Sequence, residues 1–208
     1  MQIITLPLGP IQTNCYLVAD EAAHSAVVID PGDEASQILA ALTKNAWDLK
    51  LVLLTHAHFD HIGAAAELVR ATGAPLAAHP QELPLLRLKG GAPLFGMDIP
   101  APPEPTMLLE PGQALTVGAV RFDVLFVPGH TPGHVAFYCA EGRAVFSGDV
   151  LFQDGIGRTD LPGGHYPTLM RSLREVLLAL PDDTTVYSGH GPATTIGAER
   201  RGNPFLAD

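Results

Sequence analysis

Apolar residues fall in short blocks over the first thirty positions: Ile3–Leu8, Asn14–Val18 and Ser25–Asp30, broken by Gly9-Pro10 and by Asp20–Ala23. Blocks of that length between turn residues predict three strands. The period then changes. Between Glu34 and Trp47, Ile38, Leu39 and Leu42 share one face of a helix entered after Pro31-Gly32-Asp33. Lys50–Thr55 is apolar through its middle and predicts a strand covered on both faces. Gly63–Ala71 reads as a helix closed by Gly73, Pro75–Ala78 as a strand, and Gln81–Leu88 as a short helix. Residues 90–112 hold six prolines and four glycines. They read as a connection, either a stiff surface crossing or a wall over a site.

Beyond it the pattern resumes, with strands expected at Thr106–Leu109, Ala114–Val117, Val120–Val127, Val135–Cys139 and Arg143–Phe146. A turn-rich loop runs from Gly148 to Pro167, followed by a helix at Thr168–Leu180, a strand at Thr184–Tyr187 and a turn at Ser188–Pro192. Mostly antiparallel strands, with helices after some of them, predict an α/β protein of two sheets covered by outer helices. At 208 residues the expectation is one domain, residues 1–208. No fixed-period repeat is visible.

Composition narrows the function classes. Hydrophobic residues make up 47% and charged residues 16%, which excludes a disordered or coiled-coil chain. The formal charge of −10 is spread over both halves with no basic patch, so no nucleic-acid partner is expected. No apolar run approaches the roughly 18 residues of a membrane span, and Met1–Thr5 lacks the basic start of a secretory signal. The expectation is a cytoplasmic protein without a membrane partner, its oligomeric state left open. Cys15 and Cys139 lie in apolar segments far apart and read as two buried thiols, with one disulfide as the alternative.

Four apolar runs end alike. Leu51–Thr55 delivers His56, Leu125–Gly129 delivers His130, Ala144–Gly148 delivers Asp149, and Thr185–Gly189 delivers His190. A buried strand, a tight turn and then a polar residue is how rigid scaffolds present site residues. The first ending is the richest, His56-Ala57-His58-Phe59-Asp60-His61. In an extended stretch His56, His58 and Asp60 would face one side, with His61 opening the next helix. Any one of these histidines alone would read as an ordinary loop residue. Together, His56, His58, Asp60, His61, His130, Asp149 and His190 supply seven nitrogen and oxygen donors. That set suits two divalent ions about 3.5–4 Å apart, with Asp149 bridging. It divides into His56, His58 and His130 on one ion and Asp60, His61 and His190 on the other. Such donors fit Zn, Fe or Mn without choosing among them. His134 and Asp30 are candidates to orient a metal-bound imidazole.

These motifs resemble the metallo-β-lactamase superfamily: His-x-His-x-Asp-His at 56–61, Gly-His-Thr-x-Gly-His at 129–134, Ser-Gly-Asp at 147–149 and Ser-Gly-His at 188–190, with the Asp30-Pro31-Gly32 turn before them. The resemblance implies a four-layer αββα sandwich with a dinuclear site at one edge of the two sheets, and hydrolysis by a metal-held hydroxide. Gly148–Phe152 followed by Gly155–Asp160, and the ending Asn203–Leu206, are similar to the short bacterial form of the glyoxalase II group. That similarity implies cleavage of a small-molecule thioester, S-lactoylglutathione or a similar acyl thioester. Asp60 would then serve both as metal ligand and as catalytic partner of the nucleophile. Arg158 and Tyr166 would meet the substrate, Arg158 by pairing with a carboxylate; its alternative is a loop salt bridge with Asp154 or Asp160. Longer glyoxalase II enzymes add a C-terminal helical extension that binds glutathione, and this chain stops 18 residues after His190. Asp149 stands where one class of zinc β-lactamases carries cysteine, which argues against an antibiotic hydrolase. The Gly157–Asp160 segment also resembles the persulfide dioxygenases. In that alternative a single iron sits on His56, His130 and Asp149, and the substrate is glutathione persulfide.

Overall fold

The computed structural model describes residues 1–207, so Asp208, the last residue of the expected domain, lies outside the described residues. The chain forms two compact units, Met1–Leu109 with Thr116–Val120, and Glu110–Leu115 with Arg121 onward.

In the first unit β1 (Gln2–Leu8), β2 (Thr13–Asp20) and β3 (Ser25–Ile29) make an antiparallel meander. Helix α1 (Ala35–Lys44) then crosses back, so β4 (Asp48–Leu53) runs parallel to β3. Helices α2 (Phe59–Ile62) and α3 (Ala65–Thr72) lead to β5 (Leu76–Ala78), which pairs parallel with β4 and with β6 (Met107–Leu108). The strand order is β1-β2-β3-β4-β5-β6. Tight turns can join only antiparallel neighbours, whereas a helical crossover returns the chain in the same direction. The meander therefore gives way to parallel pairing where α1 begins.

Every residue of β3 and all but the last of β2 are buried, and Val27-Val28-Ile29 supplies the branched side chains that fit such a strand. Ile38 and Leu42 of α1 join Leu17, Val28, Trp47 and Leu68 in one apolar cluster. Val52, Leu54, Ile62, Leu76 and Leu86 form a second. Each such buried side chain contributes roughly 1.5–3 kcal/mol. Helix α1 stops at Lys44, short of the expected Trp47, because Asn45 turns its side-chain amide onto the Ala41 carbonyl (2.8 Å) and Ala46 goes left-handed. Trp47 is a core residue outside the helix. The helix expected at Gly63–Ala71 is α3, closed at Gly73, and the short α2 precedes it with His61 inside rather than at its start. The segment expected at Gln81–Leu88 is a 3-10 turn (Pro80–Glu82) leading into α4 (Leu83–Arg87). The Pro-rich connection opens with 3-10 turns at Lys89–Phe95 and reaches β6 without a further element.

The second sheet includes β7 (Ala114–Val117), β8 (Val120–Phe126), β9 (Val135–Cys139) and β10 (Ala144–Gly148). The loop after β10 contains a small hairpin of β11 (Leu151–Phe152) and β12 (Gly155–Ile156). Helix α5 (Tyr166–Arg171) continues through a π turn and a 3-10 turn to Ala179, close to the expected Thr168–Leu180. It returns the chain to β13 (Thr185–Ser188), parallel to β10, before β14 (Thr194–Thr195) and α6 (Ile196–Gly202). The order is β14-β13-β10-β9-β8-β7. Leu169, Leu173 and Leu177 pack with Val127, Val145, Val186 and Ile196. Helix α6 was not expected; two glycines and a charged run hide its period. Cys15 and Cys139 are buried and not joined, and burial raises both thiol pKa values. Among the described residues no helix is long and apolar enough to cross a membrane.

Candidate metal centre

In the first unit β3 and β4 end side by side, which places Asp30 next to Thr55-His56. Asp30 takes a left-handed backbone (φ 52°). Its carboxylate accepts from the Thr55 N–H (2.7 Å) and the Thr55 hydroxyl (2.6 Å), and its Oδ2 lies 3.0 Å from His61 Nδ1. Thr55 Oγ1, its proton committed to Asp30, lies 3.0 Å from His56 Nδ1 and can only accept there. Both imidazoles are thereby tied at Nδ1, which leaves Nε2 as the donor atom of each. Donor atoms of Asp30, His56 and His61 lie within 4.8 Å of one another. The His58 ring stands edge-on to His56 at 4.8 Å.

Backbone approach fixes this cluster. A Cβ on Gly32 would fall 1.9 Å from the Asp60 carbonyl oxygen, and one on Gly63 would fall 2.3 Å from that of Gly32. Only glycine lets the Asp30-Pro31-Gly32 turn press onto α2. The extended alternation expected over 56–60 holds for His56 and His58 only. His58 is the last extended residue, and Asp60 already lies in α2 with His61. Asp60 Oδ2 therefore sits 3.6 Å from His61 Nε2, and it accepts a hydrogen bond from Thr13 Oγ1 (2.9 Å).

In the second unit His130, Asp149 and His190 follow β8, β10 and β13 as the strand endings predicted. Asp149 Oδ2 lies 3.6 Å from His130 Nε2 and 3.5 Å from His190 Nε2. His130 Nδ1 donates to the Arg158 carbonyl (2.8 Å), again leaving Nε2 as the ligand atom. The Gly155–Asp160 segment thus supports the cluster through its backbone. A Cβ on Gly157 would lie 1.9 Å from the Asp149 carbonyl oxygen. His134 was expected to orient an imidazole. Its Nε2 instead accepts the Asp149 N–H at 3.2 Å, so it positions the carboxylate residue.

These separations test whether a cation fits. Three carboxylate-to-Nε2 gaps of 3.5–3.6 Å exceed an ordinary hydrogen bond. Two ligands bound at about 2.1 Å in tetrahedral array stand about 3.4 Å apart. At His61 and His130 the facing atoms are both acceptors, an arrangement that a cation between them makes favourable. The donor set fits a borderline divalent metal.

Arg158 holds Asp160 through two of its guanidinium nitrogens, Nε and Nη2, each at 2.7 Å. This is the loop ion pair given above as its alternative, and the guanidinium holds the Asp160 carboxyl down to about 2. Tyr166 opens α5 half exposed. Sequence reading missed Thr13, Thr55 and Glu82. Glu82 is buried, and its Oε2 accepts the N–H of Ala57, the residue between the two histidines (2.7 Å). Nothing in a single sequence marks an acid in a Pro-Gln-Glu-Leu turn as buried. Gly90 lies against the same loop, where a Cβ would fall 2.3 Å from the Phe59 nitrogen.

The sequence profile of the metallo-β-lactamase superfamily matches residues 8–190. The chain belongs to that superfamily. It is a metal-dependent hydrolase with the metallo-β-lactamase fold, mixed α/β with two sheets. It is 42% identical to hydroxyacylglutathione hydrolase GloC of Haemophilus influenzae, covering 99% of this chain and 98% of that one. Among solved structures it resembles the B3 metallo-β-lactamase BLEG-1, with 42% identity, full coverage of both chains and a TM-score of 0.95. It also resembles TTHA1623 in a di-iron-bound form, with 49% identity, 98% and 100% coverage and a TM-score of 0.90.

Proposed function

We propose that this superfamily member is a thioesterase that cleaves hydroxyacyl-glutathione or a similar acyl thioester. Each of its two clusters offers nitrogen and oxygen donors for a divalent ion. Asp149, whose one carboxylate oxygen faces two imidazoles, carries the reading. The similarity to GloC supports the substrate class. Bound ions would supply a water acidic enough to be hydroxide near neutral pH and would polarise the carbonyl. The chain's own residues fix the rest. Asp30 and Thr55 hold His61 and His56 in one tautomer, the Arg158 carbonyl does the same for His130, and His134 fixes the Asp149 backbone. Thr13 holds Asp60 where its carboxylate can accept the proton of the attacking water. Water adds to the carbonyl carbon, the C–S bond breaks, and the thiolate leaves without a strong acid.

The likeness to BLEG-1 weakens the argument from Asp149 against an antibiotic hydrolase, so β-lactam hydrolysis is the second reading. Elemental analysis of the isolated protein, with assays on S-lactoylglutathione, a β-lactam and glutathione persulfide, separates these. Two ions and thioester cleavage are expected. One iron with oxygen uptake on the persulfide would establish the dioxygenase alternative instead. Asp149→Ala should lose metal and activity together; retention of two ions would refute the bridge.

A further inference from the structure

Within the first unit a cavity of about 180 Å³ opens beside Asp60. The Pro-rich connection walls it: Met97 and Asp98 come from that segment, Ile11 and Asp33 from the turns after β1 and β3, and Phe59 and Asp60 from α2. Within the Pro-rich connection, Met97 to Pro100 line the cavity, while Leu94 and Phe95 are exposed. Ile11 and Met97 are large apolar side chains left 44% and 37% exposed, and the Phe95 ring lies tilted against Phe59 with centroids 5.4 Å apart. Apolar surface around a polar cleft marks a ligand site. No Lys, Arg or His lines the cavity among the described residues, while three carboxylates do.

We infer that this cavity takes the acyl group of the thioester, and that it selects neutral acyl chains of up to about six non-hydrogen atoms. The inference rests on the thioesterase reading. Taking about 30 Å³ for each water-sized group, 180 Å³ holds roughly six. The walls reward apolar area, whereas Asp33 repels a terminal carboxylate and no cationic side chain lines the cavity among the described residues to receive one. Asp98 is paired with Lys89 (2.5 Å), which spends that cation away from the ligand.

The test is a series of acetyl, butanoyl, hexanoyl, decanoyl and succinyl glutathione thioesters. kcat/KM should rise two- to fourfold per methylene up to hexanoyl, following the transfer free energy of a buried methylene, and fall at decanoyl. Succinyl should be at least tenfold poorer than butanoyl. Met97→Trp and Ile11→Trp, both at exposed positions, narrow the cavity; each should lower hexanoyl turnover tenfold and acetyl turnover less than twofold. Binding of S-hexylglutathione, which has no scissile carbonyl, should weaken tenfold in both variants. Thioester cleavage without dependence on acyl length or charge would overturn the pocket and leave the thioesterase reading standing. No thioester cleavage, with S-hexylglutathione still sensitive to Met97→Trp, would overturn that reading alone. A changed oligomeric state in the variants, with all acyl lengths affected equally, would make the apolar rim a contact between copies and end the acyl assignment.

Discussion

At the residue scale, His79 shows how a single burial couples to pH. It is buried, and its Nδ1 accepts the Gln81 N–H at the start of the 3-10 turn. Burial lowers its pKa below the usual 6.5. The unfolded chain therefore binds a proton below about pH 6.5 that the folded chain resists. Stability from this group is fully present above that value and declines as pH falls toward the lowered one. His79→Asn keeps a cap acceptor without the titration. The variant should lose less stability than the parent between pH 7.5 and 5.5, read from urea midpoints. Equal losses would show that the parent's acid sensitivity lies elsewhere. His79 directly follows β5 and is not among the candidate residues of the sequence. A neighbouring turn, not a motif, makes it matter.

At the scale of elements, the 3-10 turn at Pro80–Glu82 is far in sequence from His56 and His58 yet holds the peptide between them. Removing a group that orients metal ligands costs typically about 10–100-fold in metal affinity. Glu82→Ala leaves the Ala57 N–H without its carboxylate acceptor and should weaken metal binding by at least tenfold, measured by competition with a chromophoric chelator. Glu82→Gln retains an acceptor oxygen and should recover most of the affinity. Equal binding by the two variants would assign Glu82 to packing alone. Helix α2 teaches the same lesson from the other side. The spacing of His56, His58 and Asp60 is readable as alternation, but the helix starts at Phe59. That start, set by Gly32 and Gly63 pressing the Asp30 turn onto the helix, gives Asp60 to His61.

At the scale of the molecule, the candidate ligands are distributed from position 56 to 190, and burying His56, His58, His61, His130 and Asp149 costs stability unless a cation neutralises and orients them. Chelation of the isolated protein should therefore lower its melting temperature, and restoring a divalent metal should raise it again with metal concentration. An unchanged melting temperature after verified metal removal would show that the cluster is stable without the ion. The high negative charge lies outside this balance: Arg87–Glu104, Arg121–Asp123 and Arg143–Asp183 are surface pairs with little energetic weight.

The strands, the helical crossovers and the identity of the metal-competent residues were legible in the chain itself, because hydrophobic period and strand-end chemistry are local properties. The family could be read for the same reason, from motifs in order along the sequence. What no local pattern holds is which second group meets each ligand. Asp30 on His61, the Arg158 carbonyl on His130, Thr13 on Asp60, Glu82 under Ala57 and His134 behind Asp149 join residues 15 to 47 positions apart. These contacts exist only once strands end together and glycines let backbones touch, so folding alone decides which nitrogen of His56, His61 and His130 is left to bind.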